Sequence, residues 1–211
     1  MSDILHSREH TDTKSLILQA AVNEFFEKGF DGARTTSIAE RAGITHAMLH
    51  YYFRTKENLF DKVMESISGQ LRSIICDFID KEDLPLADRI EAGMRTHFEF
   101  LCKNPLLPYF LINELHRGNS SARQYIHQNK EAAESIRNSL QRDIDALAAK
   151  GECKRVDALQ LMLDIFSLNI FMFIGSDILN ILFSSSEVSR EELLRERLEQ
   201  NIQTVFNKLR P

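Results

Sequence analysis

Seven histidines, three cysteines and 31 carboxylates are spread along a chain of 211 residues. The chemistry they can do depends on their spacing. His6 and His10, and again His46 and His50, stand four residues apart; on a helix such a pair shares one face and can supply two zinc ligands. Neither pair has a third His or Cys near it in sequence, so no metal site is expected. Cys76, Cys102 and Cys153 are too few and too dispersed for a disulfide framework or a thiolate metal site, and the expectation for them is small buried thiols in a reducing compartment. The chain contains no G-x-G-x-x-G, P-loop, G-x-S-x-G, H-E-x-x-H or C-x-x-C, so neither an enzyme nor a bound cofactor is expected.

One stretch, Gly43 to Phe53 (GITHAMLHYYF), has an unusual make-up. Only Ile44, Met48, Leu49 and Phe53 read as core. Thr45, His46, Ala47, His50 and Tyr51 form an outward set of short polar and ring side chains, which suits the major groove of DNA. Thr45 can cap a helix there and aim its first N–H groups at a phosphate. His46 and Ala47, at the leading end, can reach base edges, the alanine methyl meeting thymine. His50, Tyr51 and Lys56 are placed for phosphates. Between residues 33 and 56, Arg34, Arg41, Arg54 and Lys56 oppose only Glu40, although the whole chain carries a formal charge of −5. For the binding of nucleic acid, a local patch matters more than the total.

Such a probe needs a scaffold. Upstream, Ala39 stands four residues before Gly43, the spacing of a helix-turn-helix. Its two helices cross steeply, so a small side chain is needed at the contact and a positive φ in the turn. Ile38, Ala42, Ile44 and Leu49 supply the shared core. Composition (43% hydrophobic, 27% charged, 4 prolines, 8 glycines) and apolar residues at helical period predict an all-α protein. A loose tail is expected over 1–12, then a helix from Thr13 to a stop at Gly29. A second helix is expected from near Thr35 to Gly43, a third over 46–53, and a fourth capped by Thr55 and running to about Ile79. Further helices are expected at 86–103, 105–117, 121–149, 156–182 and 189–209, separated by Asp80–Leu86, Asn104–Pro105, Gly118–Asn119, Gly151 and the Ser184–Ser186 run. The domains expected are 13–62 for DNA binding and 63–211 for a helical ligand-binding and dimerisation body.

The run Thr36–Ser37–Ile38–Ala39–Glu40–Arg41–Ala42–Gly43–Ile44–Thr45, then Leu49, Tyr51–Tyr52–Phe53 and Lys56–Glu57–Asn58–Leu59–Phe60, with Phe25–Phe26–Glu27–Lys28–Gly29–Phe30 before it, resembles the TetR family of bacterial transcriptional regulators. The resemblance covers about residues 14–62; beyond, it lies only in length and helical character. It implies an N-terminal three-helix DNA-binding unit on a larger helical body, with Thr35, Thr36, Thr45, His46, Ala47, His50, Tyr51 and Lys56 as DNA contacts. It also implies a homodimer on a palindromic operator, released by a small molecule. The family usually has Gly, Pro or Ser at the place of Ala47, Thr or Ala at that of Met48 and Tyr at that of His50. The operator therefore does not carry over.

For the body, the helices at 156–182 and 189–209 are expected to pair with a second copy, the latter through Leu194, Leu198, Ile202, Val205 and Leu209. Asp164, Asn169 and Asp177 are expected to find partners there. Two heads joined in this way would meet half-sites roughly 34–36 Å apart. An apolar or aromatic effector would suit a pocket built from His97, Phe98, Leu101, Phe110, Asn113, Phe166 and Phe173, with Glu114 and His116 as polar handles. A DNA-binding activator or architectural protein without a ligand is the alternative. The N-terminus MSDILHSREH lacks an apolar segment. Only twelve residues separate Asp164 from Asp177 in the most apolar stretch, fewer than the roughly 20 a membrane span requires. A cytoplasmic protein is expected.

Overall fold

The computed structural model describes residues 2–79, 84–183 and 189–211, with the side chains of 2–11, 75–79, 120, 180 and 183 left out. Among the described residues there are eleven helices and no strand: α1 Ser2–Gly32, α2 Thr35–Arg41, α3 His46–Tyr52, α4 Lys56–Ile79, α5 Leu86–Lys103, α6 Leu107–His116, α7 Ser120–Gln128, α8 Lys130–Ala149, α9 Ala158–Ile174, α10 Ser176–Phe183 and α11 Arg190–Leu209. The all-α expectation holds. No helix of the described residues is long and apolar enough to cross a membrane. The expected connection at Asp80–Leu86 and the Ser184–Ser186 run fall mostly or wholly outside the described residues, as does the side chain of Cys76.

Three boundaries differ from expectation. The polar stretch 1–12 was expected to be a tail, yet α1 begins at Ser2; from there to Lys28 the chain has neither glycine nor proline to stop the helix. The segment 121–149 divides at Asn129, which stands immediately before α8 without a side-chain bond to its first turn. The segment 156–182 divides at Gly175, where an added Cβ would meet the Phe171 carbonyl at 3.0 Å and its ring at 3.1 Å. The ring of Phe171 packs back on the turn, so a larger residue at 175 would have to push it a few tenths of an ångström outward.

The chain forms two compact units. The first comprises residues 1–69 together with 109–127. Its core is aromatic: Phe60 meets Phe25 at 5.0 Å, Phe30 at 4.9 Å and Phe110 at 6.0 Å, while Phe26 meets Phe110 at 4.8 Å. Most of α6 and α7 therefore belongs with the helix-turn-helix, although the sequence reading assigned everything after residue 62 to the body. Two polar features hold them there. The Glu114 carboxylate, 1% exposed, accepts from the Phe30 backbone N–H (3.1 Å) and from Asn119 Nδ2 (2.7 Å). Ser121 Oγ donates to Asp61 on α4 at 2.6 Å.

The second unit comprises residues 70–108 and 128–211. Its main core joins α5, α8, α9 and α11 through Ile90, Met94, Ile144, Leu161, Ile202 and Val205. A smaller cluster holds Phe98, Leu101 and Phe173. Arg95 on α5 grips Glu199 on α11 in a two-pronged ion pair at 2.6 and 3.0 Å. The stripe on α11 expected to meet a second copy turns inward here: Ile202, Val205 and Leu209 are buried, and Leu194 and Leu198 pack against the two clusters. Asp164 pairs with Lys208, and Asn169 is 0% exposed among partners from its own chain. Neither needs a partner copy. Asp177 is exposed.

Candidate nucleic-acid interface

The helix-turn-helix closes as its residue types require. Ala39 is buried where α2 meets α3. Gly43 has φ +69°, and nothing lies within 4 Å of the space a Cβ would fill. The left-handed backbone, not crowding, is what asks for glycine here. The Ile44 N–H then donates to the Ala39 carbonyl at 3.0 Å. Thr45 caps α3, its Oγ1 accepting from the Met48 N–H at 3.2 Å, and Thr55 caps α4, accepting from the Asn58 N–H at 3.1 Å. Each cap satisfies a donor the helix cannot use and contributes about 1 kcal/mol.

Only Leu49 on α3 is fully buried. Thr45, His46, Ala47, His50 and Tyr51 are all exposed, Tyr51 at 73%. Of the other expected contacts, Thr36 is exposed, and Thr35 and Lys56 are half-buried. Met48, read from sequence as core, is 41% exposed. It precedes Leu49 and so lies about 100° round the helix from it, which places it among the outward residues. That rotation was the signal available in the sequence.

The side chains are partly organised already. Thr35 Oγ1 lies 3.0 Å from His46 Nε2, and the His46 and His50 rings meet edge to face, centroids 4.7 Å apart. The Lys56 ammonium donates to the Ala33 carbonyl at 3.1 Å, approaches that of Asp31 at 3.4 Å and sits 4.6 Å over the Phe30 ring. It therefore steadies the end of α1 as well as offering charge. Arg41, counted above in the basic excess, is occupied: it pairs with Glu27 (Nη1 at 3.0 Å) and approaches the wholly buried Glu24 at 3.3 Å. Its hydrogen bonds hold the Glu27 carboxyl below the usual carboxylate range. Glu24 also takes Lys28 at 2.7 Å and the Arg34 N–H at 3.3 Å. Arg41 thus ties α2 to α1, and Arg34 and Arg54 remain exposed on the basic side.

The expected effector residues do not all come together. Phe110 and Asn113 belong to the first unit; His97, Phe98, Leu101, Phe166 and Phe173 belong to the second. Within the second, Phe98, Leu101 and Phe173 are packed core, 3–5% exposed. The His97 ring meets Phe166 at 5.3 Å. Asn169, expected to need a partner, finds one in Asn201, a buried amide that sequence reading missed. Asn201 Nδ2 donates to the Leu168 carbonyl and to Asn169 Oδ1, both at 3.0 Å. Asn169 Nδ2 donates to the Met94 carbonyl (3.2 Å) and reaches His97 Nδ1 at 3.3 Å. Since Asn169 donates, His97 Nδ1 must accept, and a neutral ring carries its proton on Nε2. Burial pushes the His97 pKa down to about 4. The first unit holds a polar cleft of about 390 Å³ flanked by Asp31, Glu57, Asp61 and Arg117. Among the described residues no group of three His, Cys, Asp or Glu side chains is disposed to hold a metal ion. Cys102 is exposed, against the expectation of burial.

Residues 17–63 match the family model of bacterial regulatory proteins of the tetR family. The HTH-type transcriptional regulator RutR of Escherichia coli K12 is 43% identical over 61 residues, 29% of each chain. The HTH-type transcriptional regulator YdgC of Bacillus subtilis is 25% identical over 131 residues, 59% of this chain and 67% of that one. The chain thus spans less than a third of RutR and about two thirds of YdgC. Among solved structures, the transcriptional regulator FadR of Bacillus subtilis in complex with stearoyl-CoA superposes with a TM-score of 0.61 at 18% identity, over 92% of this chain and 98% of that one.

Proposed function

We propose, from the match of residues 17–63 to the family model of bacterial regulatory proteins of the tetR family, that the chain is a sequence-specific DNA-binding transcriptional regulator of that family, a homodimeric repressor released from a palindromic operator by a small molecule in the cytoplasm. One observation carries the reading: α3 is anchored by Leu49 alone and turns Thr45, His46, Ala47, His50 and Tyr51 to solvent. A helix so sparsely anchored contributes little to a core and much to a contact surface. His46 and Ala47 read base edges; Thr36, Thr45, His50, Tyr51 and Lys56 hold phosphates through their side chains, and Thr35, whose hydroxyl faces His46, through its backbone N–H.

Dimerisation through α9 and α10 is supported by an unpartnered apolar face. Leu159, Leu163, Phe166, Ile174, Ile178 and Ile181 are 37–79% exposed and recur at helical spacing. The effector reading keeps His97, Phe98, Leu101, Phe166 and Phe173 as body residues and Phe110 and Asn113 as head residues. An effector releases DNA only by binding the two arrangements of the protein with different affinity. FadR's complex with stearoyl-CoA makes long-chain acyl thioesters the first compounds to try.

Retardation of duplex fragments selected from a random pool, repeated with each candidate effector, tests the reading. Retention of a defined sequence and its release by an effector are expected. No retarded duplex at low salt would overturn it. The alternative, an activator or architectural protein without a ligand, predicts no thermal shift with any compound, whereas an effector at 100 times its Kd stabilises by about 2.7 kcal/mol.

A further inference from the structure

One contact in the head is not needed for α3 to fold or for Thr35 to touch a phosphate. Thr35 opens α2 and His46 opens α3, and Thr35 Oγ1 stands 3.0 Å from His46 Nε2. On another side the His50 ring meets that of His46 edge to face, at 4.7 Å and 89°. The imidazole is thus held between a hydroxyl and a second ring. Of its two nitrogens, only Nδ1 is left for a base.

A hydroxyl can donate or accept, and it carries one hydrogen. If Thr35 donates to Nε2, the neutral ring has its proton on Nδ1 and offers a donor. If Thr35 accepts from Nε2–H, Nδ1 offers a lone pair. Duplex DNA is an anion, so its field favours the arrangement with the proton outermost. In the major groove guanine presents two adjacent acceptors, N7 and O6, whereas adenine sets an amine beside its N7.

We propose that Thr35 is a positioning residue for base reading: its hydroxyl donates to His46 Nε2, and His46 presents Nδ1–H to a guanine. The inference rests on α3 being the base-reading helix. In the free protein water competes for this exposed bond, and its net contribution is small. In a groove from which water has been displaced the same bond strengthens. Thr35 therefore acts on which base is chosen without touching one, and does so mainly in the complex.

The test is selection from randomised duplexes at pH 8 with the full chain as wild type, Thr35→Ser, Thr35→Val, His46→Ala and the double variant Thr35→Val/His46→Ala. The wild type is expected to enrich a G·C pair in fixed orientation at one position of each half-site. Thr35→Ser keeps that preference. Thr35→Val loses roughly ten-fold discrimination there while other positions are unchanged, and the double variant matches His46→Ala. Undiminished discrimination by Thr35→Val, with binding weaker on every sequence, overturns the proposal, because a purely structural or phosphate role gives that result. Enrichment of A·T at the position that His46→Ala relaxes overturns the proton assignment. If the wild type selects no duplex, the reading of α3 has failed, and this proposal falls with it.

Discussion

Single residues in the head do more than one task, and substitution separates the tasks. Lys56 holds two carbonyls at the end of α1 and lies over Phe30, and it is also the cation proposed to meet a phosphate. Lys56→Ala is expected to weaken binding to all duplexes alike and to reduce the slope of log K against log salt by roughly one. Because the carbonyls lose their donor, the melting temperature should fall as well; an unchanged melt would show that the ammonium is not engaged as described. Gly29 is a second such position. Its φ is +70°, and a Cβ there would meet Arg117 Nη1 at 2.8 Å and Glu114 Oε1 at 2.9 Å. Gly29→Ala thus combines backbone strain of roughly 1–3 kcal/mol, since φ 70° with ψ 174° is a region open essentially to glycine alone, with displacement of the carboxylate that accepts from Phe30 N–H. A drop in melting temperature of several degrees is expected, and a neutral outcome would show that α6 is not pinned to this turn.

At the scale of elements, buried polar groups decide how helices register. The chain from Asn201 on α11 through Asn169 on α9 to Met94 and His97 on α5 fixes three helices by directed bonds where apolar packing alone would allow sliding. The burial of His97 at the end of this chain of bonds also makes stability depend on pH. The His97 pKa lies at about 4, below its ordinary 6.5, so the unfolded chain binds the extra proton first. The contribution is complete above pH 6.5 and is lost as pH falls from 6.5 to 4, amounting to roughly 3 kcal/mol at the lower end. Thermal melts of wild type and His97→Gln between pH 7 and pH 4 should converge as pH falls; parallel curves would refute the assignment. Similarly, Arg41 joins α2 to α1 through Glu24 and Glu27, so a cation that sequence counting credits to DNA serves instead to set the angle of the reading helix pair.

For the whole molecule, the open question raised by the surface is what covers α9 and α10. Ile181 is 79% exposed, Leu182 66% and Ile178 58%, an apolar run along one face of α10 of the kind that marks an interaction site when it is contiguous. Leu163→Glu combined with Ile178→Glu is expected to leave the fold intact and convert a dimer into monomers in sedimentation, with the affinity for a two-half-site duplex falling to that for one half. Dimers that persist would place the interface elsewhere. Much of this protein could be read from residue order alone: helices, caps at Thr45 and Thr55, the left-handed Gly43, and the outward face of α3 follow from local rules, because each depends on neighbours within one or two turns. Tertiary structure decided the rest. It turned the α11 stripe inward, gave Phe110 and Glu114 to the head and consumed the charge of Arg41. An apolar or charged side chain announces in sequence only that it needs a partner, and which partner it meets depends on segments tens of residues away that the folded chain brings beside it.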